Sequence, residues 1–160
     1  MFDEFMGLPL HPLTVHAVVV FVPLLCLLSV VYALVPRVRG AIGWAAALLA
    51  VAAPLTAWVA TRSGLALERK LIAQGFSGEI LTKITEHSRL GDRTFYFSIP
   101  LGLVTLALVY LTGTSAARAR RMPSWASVAF AVVVVVLAAI TAYYVFKTGD
   151  SGARAVWETG

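Results

Sequence analysis

The chain has 160 residues, of which 59% are hydrophobic and only 13% are charged, and its formal net charge is +5. A composition this apolar excludes an ordinary water-soluble domain, and the length allows a single domain. A basic chain binds nucleic acid when its positive charge covers one face. Here the excess charge is confined to two short loops, so the sequence argues against a nucleic-acid partner.

Four uninterrupted apolar runs follow one another along the chain. They are Ala17–Val35, Ala41–Ala60, Phe95–Thr112 and Val128–Phe146. None contains an Asp, Glu, Lys, Arg or His residue, and each has 18–20 residues. A helix needs about 20 residues to cross ~30 Å of hydrocarbon. With their flanks, the runs predict membrane-spanning helices at about 12–35, 41–61, 94–113 and 126–147.

The connections between these runs indicate how the helices are arranged. Short loops join the first run to the second and the third to the fourth, which favours an antiparallel four-helix transmembrane bundle. The predicted fold is therefore all-α, with one domain over residues 1–160. The longer connection, 62–93, contains two stretches in which apolar and charged residues alternate as in a helix. We expect a helical outer loop of two short amphipathic helices.

The distribution of charge predicts the orientation in the membrane. The two short loops carry five arginines and no acid: Arg37, Arg39, Arg118, Arg120 and Arg121. In the other segments, the remaining Lys and Arg residues balance the eight acids. Short loops rich in Lys and Arg stay in the cytoplasm. The sequence thus predicts a multi-pass protein of the cell's inner (plasma) membrane, surrounded by lipid, with both termini and the 62–93 loop outside.

All three histidines, His11, His16 and His87, fall on the predicted outer side, in the same layer as Asp150. Histidine ligates haem iron, zinc and copper, so these residues are candidate metal or haem ligands. His11 and His16 are five residues apart, a rotation of about 140° on a helix, and do not easily share one ion. The alternative is that the histidines are interface residues without a ligand.

Arg93 lies in the same predicted layer, together with the three arginines that are candidate binding residues, Arg62, Arg89 and Arg154. Guanidinium groups bind carboxylates and phosphates, so these arginines are candidates for binding haem propionates or lipid phosphates. The alternative is that they pair with nearby acids or extend to the membrane surface.

Three stretches of the chain resemble a bacterial membrane family catalogued as domain of unknown function 2231. The stretches are GLPLHPLTVH at 7–16, HSRLG at 87–91 and TGDSGARAVW at 148–157. The resemblance extends over nearly the whole chain, and its most specific part is the His-Pro-x-x-Val-His opening. The family's activity is not established. Its association with Rieske-type iron–sulfur domains and cytochrome components implies membrane electron transfer and haem. Some relatives carry His where this chain has Asp150.

The leading hypothesis is a small membrane protein of a respiratory or redox system that binds haem b. His87 would be one axial ligand, with His16 or His11 as the other. Covalent haem c is excluded because the chain has no Cys-x-x-Cys-His. Association with other redox subunits, or with further copies of the chain, is compatible with this function.

One alternative is a membrane hydrolase acting on lipids, with Zn or Cu held by the histidines and Asp150. Another is a structural subunit without a cofactor.

Overall fold

The computed structural model describes residues 4–5, 8–113 and 123–157, with side chains from His11 to Gly113 and from Pro123 to Arg154. The elements are β1 (Glu4–Phe5), β2 (Leu8–Pro9), α1 (Leu10–Leu34), a 3-10 turn (Pro36–Val38), α2 (Arg39–Ala73), α3 (Glu79–Thr112) and α4 (Ser124–Trp157). The two short strands pair antiparallel. Three of the five loop arginines that predict the orientation lie outside the described residues: Arg118, Arg120 and Arg121.

Each of the four helices is long and apolar enough to cross a membrane. This confirms the predicted all-α fold with four membrane-spanning helices. Pro23, Pro54 and Pro100 lie inside α1, α2 and α3, and all three helices continue past them. Membrane helices tolerate such prolines where neighbouring groups satisfy the freed carbonyl.

The helices form a four-membered ring in which each packs against the next and α4 returns to α1. The diagonal helices α1 and α3 also touch across the centre of the ring. Because His11 and His87 both lie in the N-terminal parts of these diagonal helices, they occupy the same end of the bundle. We call it the histidine end.

Small residues allow the helices to approach closely. The buried face of α2 consists largely of alanines three or four residues apart: Ala46, Ala50, Ala53, Ala57 and Ala60. Contacts between membrane helices favour small residues because apolar burial gives little advantage over lipid, so close van der Waals packing matters more. At the crossing of α2 and α3, Gly102 packs directly on the carbonyl oxygen of Ala50.

The core also contains hydroxyl groups, and every buried side-chain N or O atom in the described segments has a hydrogen-bond partner. Thr105 of α3 donates to Ser29 of α1 at 2.8 Å. The Thr141 hydroxyl of α4 donates to the Leu137 carbonyl of its own helix at 2.7 Å and also lies 3.3 Å from the backbone carbonyl of Phe97 in α3. An unpaired polar group in an apolar interior is costly, so these pairs also fix which faces of the helices meet.

The opposite end of the bundle is closed by Arg39 and Tyr32. The Arg39 guanidinium donates to the carbonyls of Tyr32 and Ala33 at 2.9 and 3.0 Å, and it lies over the Tyr32 ring. These are carbonyls of the last turn of α1, which have no partner within the helix. The Tyr32 hydroxyl lies 2.9 Å from that of Thr112, which links α1 to α3.

The 62–93 connection is helical on both sides of a short turn. However, α2 continues without a break to Ala73 and α3 begins at Glu79, so the two stretches are extensions of the membrane helices rather than separate helices. Apart from Gly64, the residues of the first stretch are mostly good helix formers and nothing ends α2 earlier. Gly75 and Gly78, with φ of 87° and 73°, turn the chain between the extensions.

Candidate functional site

His11 lies in the first turn of α1 and its ring packs against α2. Its Nδ1 is 3.0 Å from the carbonyl oxygen of Ala60 and 3.3 Å from Oγ of Ser63. Ser63 is buried and also donates to the Ala60 carbonyl. The hydroxyl of Thr14 lies 3.3 Å from the same Ser63 Oγ. One turn of α2 thus holds the His11 ring at a defined position.

His87 of α3 is held by α4 in the same manner. Its Nδ1 is 3.1 Å from the carbonyl oxygen of Thr148 and 3.1 Å from Oγ of Ser151. Ser151 in turn donates to the Thr148 carbonyl, as Ser63 does to the carbonyl three residues before it. The Thr148 hydroxyl also lies 2.9 Å from that of Thr94, which connects α4 to α3 beside the histidine.

A glycine lies beneath each ring. A Cβ added at Gly64 would come within 3.1 Å of His11 Cε1, and one at Gly152 within 2.8 Å of His87 Cε1. The second distance is shorter than real Cβ contacts, and the first is tighter than most of them. Glycine at these two positions therefore allows each imidazole to lie directly on the backbone of the neighbouring helix.

The two imidazoles face each other across the bundle. Their ring centres are 6.0 Å apart and their planes are inclined at 79°. A carbonyl oxygen only accepts hydrogen bonds, so Nδ1 of each ring is the nitrogen that donates. In a neutral ring, Nε2 then carries the free lone pair. A histidine that ligates a metal typically donates its other ring nitrogen to a carbonyl or carboxylate, which is the arrangement of both rings here.

A cavity of about 490 Å³ lies at the histidine end, and both imidazoles contribute to its wall. Most of the other lining residues are apolar, among them Val18, Leu67, Leu71 and Ile84, while Glu68 is an acid in the wall. Cavities that bind small molecules and cofactors usually have 300–1,000 Å³ and an apolar lining with a few polar groups. The size and lining of this cavity agree with such a role.

The other predicted ligands lie apart from the imidazole pair. His16 is exposed, and its Nδ1 interacts with the carbonyl of Pro12 in its own helix. Asp150 pairs with Arg154 at 3.2 Å, one turn further along α4. Neither residue lines the cavity. Of the two candidate partners of His87, the structure brings His11 to it and leaves His16 on the outside of α1.

The three predicted arginines are exposed at the same end of the bundle. Arg62 follows Ala60 by two residues and lies over the Trp58 ring at 6.0 Å, and Arg154 forms the ion pair with Asp150. Arg89, two residues after His87, is exposed on α3. All three are thus within three residues of a group that holds or forms the imidazole pair, but none lines the cavity.

Over residues 4–5, 8–113 and 123–157, no group of three or more His, Cys, Asp or Glu side chains is placed to hold a metal ion. The predicted set of three histidines with Asp150 is therefore not gathered around one point. The assignment of zinc or copper stays a prediction, and of its predicted ligands the structure brings together only His11 and His87.

Four residues that hold the rings were not among the predicted site residues: Ser63, Gly64, Ser151 and Gly152. A signal for them exists, because Ser-Gly dipeptides occur near the histidine ends of both even-numbered helices. A dipeptide this short has little meaning until the helix that faces it is known. The carbonyls of Ala60 and Thr148 carry no sequence signal, since every residue has a backbone carbonyl.

Comparison with curated proteins and with solved structures gives no match. A family model described as "Predicted membrane protein (DUF2231)" matches residues 7–160. The match includes all four membrane helices and both histidines of the pair. The chain therefore belongs to this family of predicted membrane proteins.

Proposed function

We propose that this membrane protein binds haem b between His11 and His87 and transfers electrons in a membrane redox system. The observation that carries the proposal is the pair of imidazoles, which come from different helices and have ring centres 6.0 Å apart. Two metal–nitrogen bonds of ~2 Å each need about 4 Å between the two nitrogens. A 6.0 Å separation of ring centres is compatible with that requirement when Nε2 of each ring points towards the other.

Haem accounts for a site with two protein donors better than an isolated ion does. Zinc in proteins usually takes three or four protein ligands. Haem iron already has four nitrogens from its macrocycle and needs only axial ligands from the protein, and two histidines can supply them. When bound, haem would supply a one-electron redox centre, and with both axial positions taken by histidine it would favour electron transfer.

The surroundings of the imidazoles support the same ligand. An apolar cavity of about 490 Å³ suits a large, flat and mostly apolar group. The exposed guanidinium groups of Arg62, Arg89 and Arg154 lie at the same end, where the propionates of a haem would need basic partners. In the proposed orientation this end faces outward from the cell, so electrons would be exchanged on that side.

The deciding experiment is the absorption spectrum of the full-length protein, purified from membranes in mild detergent. We expect a Soret band, and α and β bands that sharpen on reduction, as for haem with two histidine ligands. His11→Ala and His87→Ala should each abolish this spectrum without preventing membrane insertion. His16→Ala is the matched control and should retain it, because His16 is exposed on the other side of α1.

Other outcomes would replace the proposal. A metal site, as a metal-dependent hydrolase requires, would be indicated if the protein bound zinc or copper in proportion to its amount and the His87→Ala variant lost that metal. Neither haem nor metal, even after addition of haemin, would favour a structural subunit. Loss of haem in His16→Ala but not in His11→Ala would contradict the pairing of His11 with His87.

A further inference from the structure

The two diagonal helices, α1 and α3, bury equivalent positions. On α1 the fully or nearly buried residues include Val18, Val22, Leu25, Ser29 and Tyr32. On α3 they include Thr94, Ser98, Leu101, Thr105 and Leu108, each 76 residues after its counterpart. The same interval separates His11 from His87. One constant interval thus relates the whole inner face of α1 to that of α3.

The other two helices, α2 and α4, are related in the same way by an interval of 88 residues. On α2 the buried residues include Ala46, Ala50, Ala53 and Ala57. On α4 they are Val134, Ala138, Thr141 and Val145. The first hairpin, α1 with α2, and the second, α3 with α4, therefore share one burial pattern. The second hairpin has 12 more residues between equivalent positions than the first, because both its connection and the helix ends beside that connection are longer.

Equivalent residues also touch each other, which reveals the symmetry of the bundle. His11 faces His87, and 18 residues further along each helix Ser29 faces Thr105. Residues related by a two-fold axis meet only on that axis. Because the two pairs are separated by ~27 Å of helix, the axis runs along the helices through the centre of the bundle. Parallel repeats in membrane proteins are related in this way, by an axis along the membrane normal.

The environment of each histidine is repeated in detail. The His11 ring contacts the carbonyl of Ala60, Oγ of Ser63 and the backbone of Gly64. The His87 ring contacts the carbonyl of Thr148, Oγ of Ser151 and the backbone of Gly152. The spacing within each set is the same, and the sets are 88 residues apart. An up-and-down bundle need not repeat such a contact set, so general bundle symmetry does not account for it.

We propose that the site consists of two equivalent half-sites contributed by two repeats of one helical hairpin, in which Ser63-Gly64 and Ser151-Gly152 are the positioning residues. In each half-site the serine and the carbonyl direct Nδ1–H, and the glycine sets how far the ring lies from the axis. A ligand between the rings would thus be bound by two imidazoles in equivalent surroundings. The assignment of positioning residues rests on the structure alone, and only its consequence for haem rests on the proposed function.

The first test measures the 15N NMR signals of the histidine ring nitrogens. The full-length protein is labelled with 15N-histidine and studied in detergent without added haem. The signals of the three histidines are assigned by substituting each histidine in turn. Ser63→Ala should shift the ring nitrogens of His11 most, and Ser151→Ala those of His87, in the same direction. Each substitution removes one of the two acceptors of an Nδ1–H. A purely structural role would not shift the tautomer or the hydrogen-bond signature of one ring selectively.

Gly64→Ala and Gly152→Ala provide a second, independent pair of variants. Each added methyl should displace the ring that lies on it and change the signals of His11 or His87, respectively. Gly40→Ala on α2 is the matched control, since a Cβ there meets nothing within 4 Å and the position is far from the histidine end. It should leave all ring signals unchanged.

The equivalence of the half-sites is overturned if either serine variant leaves its own histidine unchanged, or if the larger shift falls on the other histidine. If the glycine variants fail to fold, the smaller serine substitutions still decide the question. In protein that binds haem, Ser63→Ala and Ser151→Ala should each weaken binding by ~10–100-fold, as loss of a group that orients a ligating histidine does. Absence of haem would refute the proposed function and leave the nitrogen measurements valid.

Discussion

Gly102 of α3 lies against the backbone carbonyl of Ala50 in α2 so closely that a Cβ at position 102 would overlap the oxygen, and the Pro54 ring is close on the same side. The obstacle is backbone, which cannot rotate away as a flexible side chain does. This contact therefore sets the distance between α2 and α3 in the middle of the bundle.

Gly102→Ala should consequently destabilise the bundle by ~1–3 kcal/mol, the usual cost of overpacking a tight core. The measurement is unfolding of the purified protein in mixed detergent micelles, followed by circular dichroism. Gly40→Ala, where a Cβ meets nothing within 4 Å, should be neutral or stabilising because alanine favours the helix. Equal stability of the Gly102 and Gly40 variants would contradict the close contact.

The hydroxyl pair of Ser29 and Thr105 should contribute measurably to stability. A double-mutant cycle with Ser29→Ala and Thr105→Val removes each hydroxyl singly and then both. Hydrogen bonds between membrane helices measured in this way average ~0.6 kcal/mol and reach ~1.7 kcal/mol. We expect a coupling energy in that range, because the two oxygens are 2.8 Å apart and fully buried. Additive effects of the two substitutions would contradict the bond.

The predicted orientation can be tested by cysteine labelling in whole cells. The one native cysteine, Cys26, is buried in the core and is first replaced by alanine. A cysteine at Ser77, which is exposed in the turn between α2 and α3, should react with an impermeant thiol reagent. A cysteine at Ser115, which lies between the third and fourth apolar runs of the sequence, should react only after the cells are permeabilised. The reverse pattern would place the histidine end in the cytoplasm.

The loop arginines should determine this orientation. Replacing all five with glutamine, at positions 37, 39, 118, 120 and 121, removes the charge asymmetry on which insertion depends. We expect a mixture of orientations, seen as partial labelling of the cysteine at Ser77. Arg39→Gln alone is the control, because it loses the bonds to Tyr32 and Ala33 but keeps four loop charges. Uniform labelling of the fivefold variant would show that charge does not orient the chain.

The four spans and the all-α fold were predictable because they depend on local properties. Whether a run such as Val128–Phe146 can cross a membrane depends on its length and on the lack of charged residues. The histidines could be assigned to one end of the bundle for the same reason. These features follow from the order of residues along each helix and need no knowledge of which helices are neighbours.

The choice between His11 and His16 could not be made from the sequence. Both lie near the start of α1, but they point in directions about 140° apart, and only one of these directions faces the centre of the bundle. Packing on α2 turns His11 towards Ala60 and Ser63 and leaves His16 exposed. Which face of α1 is buried depends on the relative rotation of the helices, and an apolar run rich in valine and leucine on all sides does not specify that rotation.

The sequence by itself determined four membrane-spanning helices with every histidine at one end, because hydrophobicity and charge act locally and along the chain. Only the tertiary structure decided that His11 meets His87 and that Ser63-Gly64 and Ser151-Gly152 hold them. Those contacts join residues about 50 to 75 positions apart. They depend on the register and rotation of packed helices, which arise from close fit around small residues and hydroxyl pairs rather than from any single segment.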